Sequence, residues 1–242
     1  KQATSLNSGK GCKFRPGKHL GVGAIMGCAN YHAWLLFDDG EEWLVRIPRT
    51  GFSDVPVELV EYLVASEHAT LKFLESTKVP APKAFGFGLA SDPTNRVGVN
   101  YLLMQALSGK PYYPHNATAE QKRHVLGQLA DVLIEVNKHP LQKAGSLVLR
   151  DGEIGVSAVA SNRFVHLGRY GPFDNASNYF ISIAEQYLDL IADGQIYYQY
   201  PREAFLFYKI LQQHAMNLSV DESSSVFYMK HVDDKGDHLL VD

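Results

Sequence analysis

Two apolar runs, Ala33-Trp-Leu-Leu-Phe37 and Trp43-Leu-Val-Arg-Ile47, flank Asp38-Asp-Gly40, and this signal constrains the fold most. An Asp-Gly turn between strand-like runs predicts a hairpin, so the chain commits early to antiparallel pairing. A helix comes next. Across Val57–Glu75 the residues Val60, Leu63, Val64, Leu71 and Leu74 recur at helical spacing, and Val79-Pro-Ala-Pro82 forbids its continuation. Ala84-Phe-Gly-Phe-Gly88 and residues 99–104 then read as two further strands, separated by the turn-rich Ala90-Ser-Asp-Pro-Thr-Asn95. The expected product is a small antiparallel sheet carrying one helix.

After Leu107-Ser-Gly-Lys-Pro111 the texture changes. Residues 118–137 place Leu126, Leu129, Ala130, Leu133 and Val136 on one helical face. A hairpin is expected around Asp151-Gly152, helices over 177–192 and 202–218, and a strand at Val226-Phe-Tyr-Met229. The reading is an α+β chain of two lobes, with residues 1–106 forming the sheet lobe and residues 107–242 a mainly helical one.

With 45% apolar and 20% charged residues, the chain has the composition of a globular protein. Its net charge of -3 offers no global attraction to phosphate backbones or anionic lipid, so neither a nucleic acid nor a membrane is expected as a partner. No apolar run is long enough to cross a bilayer. Cys12 and Cys28 lack CxxC spacing, which suits a reducing, cytoplasmic setting.

Chemistry concentrates in three places. Glu67 falls inside the apolar stripe of its helix, where a carboxylate needs a partner; Arg46 on the second hairpin strand is the candidate, unless Glu67 lies at the stripe's edge and reaches water. Ahead of the hairpin, Gly21-Val-Gly-Ala-Ile-Met-Gly27 provides glycines that let backbone N–H groups approach phosphate oxygens, although the spacing is neither the Walker nor the Rossmann fingerprint. Glycine-rich loop, cation and helical carboxylate follow one another in the order of a kinase nucleotide lobe. Near the end, His231-Val-Asp233, four residues and His238 have the spacing of the His-x-Asp-x4-Asn catalytic loop. Asp233 would accept the acceptor hydroxyl's hydrogen bond, and His238 would take the metal side. Two other readings of this stretch stay open. One takes Asp234-Lys-Gly-Asp237 as a polar turn, and the other takes His231, Asp233, Asp237 and His238 as the zinc cluster of a metal-dependent hydrolase.

These motifs together resemble the aminoglycoside phosphotransferase and choline kinase-like family, which has a protein-kinase-like fold. Met26-Gly-Cys-Ala-Asn30 is similar to the family's Gly-x-x-Asn nucleotide loop, and Leu44-Val-Arg-Ile-Pro48 to its cationic strand. Ser66-Glu-His-Ala-Thr-Leu71 through Val79-Pro-Ala-Pro82 is similar to its helix and exit, and Tyr101 to Pro111 to the hinge between lobes. The resemblance implies an ATP-dependent phosphotransferase that uses Mg2+ and acts on a small-molecule hydroxyl. It implies nucleotide contacts from Gly27, Asn30, Arg46, Glu67, Gln105 and Leu107, a catalytic Asp233 and a metal-side His238. Two residues depart from the pattern: Arg46 stands where many kinases have Lys, and His238 where the family has Asn. The family's next acidic metal-binding motif is expected beyond Asp242, so a truncated chain is expected too. With these departures, a kinase-like pseudoenzyme or binding module is the alternative.

Overall fold

The computed structural model describes residues 2–17, 30–49, 56–159, 170–217, 226–231 and 239–241. They divide into two compact units, Lys1–His139 with Met229–Asp242, and Pro140–Tyr228. The lobe join expected after Ala106 falls inside the first unit.

In the first unit a short helix α1 (Gln2–Leu6) precedes a five-stranded sheet of β1 (Cys12–Pro16), β2 (Asn30–Phe37), β3 (Glu42–Pro48), β4 (Ala84–Gly88) and β5 (Tyr101–Gln105). Its spatial order is β1-β2-β3-β5-β4, with every neighbouring pair antiparallel. The β2–β3 hairpin closes where the sequence places it: Gly40 takes φ +89°, and the Phe37 N–H donates to the Glu41 carbonyl at 2.9 Å. Helix α2 (Val57–Glu75) runs between β3 and β4.

Side chains alternate across a strand, so β5 serves two cores at once. Tyr101 and Leu103 pack with Ala33, Leu35, Phe37, Trp43, Val45 and the Ala3 of α1, whereas Leu102 and Met104 pack with Ala84 and with Val64 and Leu71 of α2. Trp43 anchors the first core, stacked on Phe85 at 3.9 Å and tilted against Phe37 at 4.7 Å. Leu102 is 1% exposed and anchors the second; full burial of such a side chain contributes about 2–3 kcal/mol.

Beyond β5 come β6 (Lys110–Pro111) and α3 (Ala119–Val136). Helix α3 opens with a capping box, in which Thr118 accepts from the Gln121 N–H and the Gln121 side chain accepts from the Thr118 N–H. The periodicity of α3 correctly marks a helix, yet its apolar face is not core. Leu126 and Leu133 are 64% and 58% exposed. Periodicity reports which side of a helix is apolar, not whether anything covers it.

The second unit holds a hairpin, β7 (Ser146–Arg150) and β8 (Glu153–Ser157), followed by α4 (Ala176–Ala192) and α5 (Pro201–His214), which pack on each other. Asn175 caps α4 by accepting from the Asn178 N–H at 2.8 Å, and Tyr187 of α4 stacks on Tyr208 of α5 at 4.5 Å. The strand expected at residues 226–229 is reduced to one bridge, Phe227 with Leu141. Back in the first unit, β9 (Leu240–Val241) pairs antiparallel with β6. The architecture is the α+β one that the sequence predicts: an antiparallel sheet with one long helix first, mainly helices afterwards. Among the described residues no helix is long and apolar enough to cross a membrane.

Candidate functional site

Strand alternation decides where the polar side chains of β2 and β3 go. Trp43 and Val45 fill the core on the α1 side, so Leu44 and Arg46 face the side that α2 covers. Asn30 and His32 share that face from β2, with His32 directly opposite Arg46 in the register. Glu67 descends from α2 between the turns that bury Val64 and Leu71.

Arg46 and Glu67 meet there, Nη1 donating to Oε1. With its amide turned so that the carbonyl oxygen faces the guanidinium, Asn30 accepts from Arg46 Nε at 3.1 Å and Nη2 at 3.0 Å. Asn30, Arg46 and Glu67, proposed from the sequence as parts of one site, therefore form one hydrogen-bonded cluster. A guanidinium carries five N–H donors; three are engaged by described residues, the one on Nε and one on each terminal nitrogen. A lysine at this position would offer a single nitrogen to both acceptors, whereas the arginine fork reaches them from different edges.

The electrostatics are set by partial burial. The Arg46 and Glu67 side chains are 35% and 32% exposed. Burial pushes the Glu67 carboxyl above its usual range, and the Arg46 cation opposes that rise. Burial, reinforced by the same cation, holds the His32 imidazole below its usual value, which favours a neutral ring opposite Arg46. His68, next along α2, is buried against Phe87 with ring centroids 4.8 Å apart. Burial lowers its pKa as well.

Gln105 ends β5 opposite Trp43, three residues along β3 from Arg46, or roughly 10 Å. Its N–H donates to the Lys83 carbonyl at 2.8 Å, and its side-chain oxygen accepts from the Lys83 N–H at 3.3 Å. The Ala106 N–H points back to the Glu42 carbonyl at 3.4 Å, and Leu107 beyond it is 43% exposed. Gly27, Asp233 and His238 lie outside the described residues, as does Asp237. The described residues hold no cluster of three or more His, Cys, Asp or Glu suited to a metal ion.

Two further residues escape sequence reasoning. His32 becomes visible only once the hairpin register places it opposite Arg46. Glu135, near the end of α3, is buried and accepts from the Lys78 N–H at 3.1 Å; its signal was the pair Lys138 and His139 at helical spacings of three and four.

Comparison with known proteins adds a family to this geometry. No curated protein matches the sequence. Among solved structures the chain is similar to a Rio2 kinase from Chaetomium thermophilum, crystallised as an ADP/Mg2+-phosphoaspartate complex. The two share 12% identity over 90% of this chain and 69% of that one, with a TM-score of 0.40. A profile of the phosphotransferase enzyme family (APH) matches residues 26–170, a span that includes Asn30, Arg46, Glu67, Gln105 and Leu107. That span exceeds half of the 242 residues, and the chain belongs to the phosphotransferase enzyme family.

Proposed function

We propose that this chain carries the nucleotide side of an ATP-dependent phosphotransferase that acts, with Mg2+, on a hydroxyl of a small molecule. The observation that carries the reading is the Arg46 guanidinium, fixed between Asn30 and Glu67 on the sheet face beneath α2, with two of its N–H donors not engaged by any described residue. A cation held this way is preorganised for phosphate oxygens, which is what phosphoryl transfer asks of a protein. Residues 1–106 form the nucleotide lobe in this reading, with Gly27 in the phosphate loop, and residues 107–242 the helical lobe. The Gln105 N–H is already committed to Lys83, so the adenine edge is assigned to the Gln105 carbonyl and the Leu107 N–H.

Asp233 accepts the proton of the acceptor hydroxyl as its oxygen bonds to the γ-phosphorus and the bond to the departing ADP oxygen breaks. His238 takes the metal side of the loop. Isothermal titration of ATP with and without Mg2+ tests the nucleotide reading, and Asp233→Asn tests the loop. The expected outcome is metal-dependent binding, with turnover reduced by about two to four orders of magnitude in Asp233→Asn and nucleotide affinity nearly unchanged. Full turnover in that variant removes Asp233 from the chemistry. Metal-independent ATP binding without transfer favours the pseudoenzyme, the reading that His238 in place of the family's Asn supports.

A further inference from the structure

Of the 18 residues of α3, Glu135 is the buried one. A helix with Leu126, Leu133 and Ile134 exposed has turned a carboxylate inward, and such a group must be matched by donors. Glu135 Oε1 accepts from the Lys78 backbone N–H at 3.1 Å and lies 3.3 Å from His139 Nε2, while Oε2 accepts from Lys138 Nζ at 2.9 Å. Lys138 foremost, then the Lys78 amide and His139, hold its carboxyl down to about 2, so it is ionised throughout the neutral range.

Lys78 follows the end of α2, whose last turn is closed locally: Ser76 and Thr77 return their N–H groups to Phe73 and Leu74, and the Val79 N–H donates to Thr77 Oγ1 at 3.1 Å. Phe73 meets His139 edge-on at 5.9 Å. One turn earlier along the same end, Glu75 accepts from the Ala84 N–H at 2.7 Å. The C-terminal end of α2 is thus tied twice, to β4 through Glu75 and to α3 through Glu135. Its N-terminal end, at Pro56, has no side-chain cap. Glu67 rides between these ends, eight residues or about 12 Å of helix from Glu75.

We propose that Glu135 is a positioning residue: by holding the Lys78 amide it fixes the C-terminal end of α2 and thereby sets how Glu67 meets Arg46. The consequence for catalysis rests on the nucleotide reading above, but the latch itself does not. In Glu135→Ala, hydrogen exchange of the amides from residue 71 to 78 accelerates, and MgATP affinity falls about tenfold, the scale of a lost charged hydrogen bond. Glu135→Gln, which keeps an acceptor for Lys78, recovers most of both. If Glu135 acts through α2, the loss of affinity shrinks to about twofold when Glu67→Gln is already present, and the stability losses of the two substitutions are likewise non-additive.

Unchanged exchange over residues 71–78, or additive stability losses, overturns the latch. Additive affinity losses overturn its action through Glu67. Should Glu135→Ala fail to fold, Glu135→Asp, with its carboxylate drawn back by one methylene, carries the same measurements. Wild-type protein that binds no MgATP refutes the nucleotide reading, and exchange and the stability cycle still decide the latch.

Discussion

Arg46 stands between a neutral amide and a carboxylate, and the two respond differently to its loss. Asn30 would lose hydrogen bonds, whereas Glu67 would keep a charge in a half-buried place with its cation gone. Burial already raises the Glu67 carboxyl against the pull of Arg46, so Arg46→Met should raise it further. The sign follows from linkage: a carboxyl that titrates higher in the folded state than in the unfolded one favours folding at low pH, and that contribution is lost as pH rises through the folded value. Arg46→Met should therefore cost little below the carboxylate range and about 1–2 kcal/mol above it, the buried-pair figure reduced for partial exposure. Denaturant unfolding at both extremes measures this, and Glu67→Gln in the same background should remove the pH dependence. A loss equal at both extremes would mean that Glu67 does not depend on the cation. The pairing was legible because a carboxylate inside an apolar stripe demands a partner. Asn30 is marked by resemblance alone, since no periodicity points to it, and the burial of Glu135 is not legible because burial at a helix end depends on a loop that joins it from another element.

Elements with strong local chemistry were legible and those held by context were not. The β7–β8 hairpin was expected from Asp151-Gly152, and these residues take φ +52° and +83°, the paired left-handed conformation that a two-residue turn requires. Strand β1 is not legible in the sequence because Cys12-Lys-Phe-Arg-Pro16 is a charged sheet edge with four of its five residues exposed, a composition that protects an edge and carries no alternation to mark its pairing. The strand expected near Phe227 has the right residues but pairs at a single bridge. Two glycines, Gly152 in the turn and Gly145 just ahead of β7, separate conformational from steric demands. A Cβ at Gly152 meets nothing within 4 Å, so Gly152→Ala should cost about 1 kcal/mol through its positive φ alone. A Cβ at Gly145 would run into the Ser157 carbonyl oxygen and lie 2.8 Å from Val156 Cγ1. Since that obstacle is partly backbone, Gly145→Ala should cost more, about 2–3 kcal/mol. Thermal unfolding of the two variants ranks them, and the reverse order would show that the strands separate easily at Gly145.

At the scale of the molecule, the chain leaves its first unit after His139 and returns to it at Met229. Within the second unit, the first and last segments lie side by side: Leu141 and Phe227 exchange both backbone hydrogen bonds, each 2.8 Å. Residues paired in this manner have Cα atoms about 5.5 Å apart. The second unit is therefore inserted through two neighbouring strands of chain, and the first unit is completed by β9, which reaches β6 only after the insertion. Insertions with adjacent ends are the kind that a host domain tolerates losing. Replacing residues 140–228 by a short Gly-Ser linker should leave the five-stranded sheet, α2, α3 and the β6–β9 pair folded. Far-ultraviolet circular dichroism and a single cooperative thermal transition would register this, with Trp43 fluorescence reporting its packing on Phe85. The Arg46–Glu67 cluster is built wholly from the first unit, so nucleotide binding, where it occurs in the parent chain, should survive the excision within about tenfold, the range of one lost hydrogen bond. If the excised protein melts without cooperativity, the second unit holds the first together, and the division at His139 and Met229 is one of contacts without independent stability.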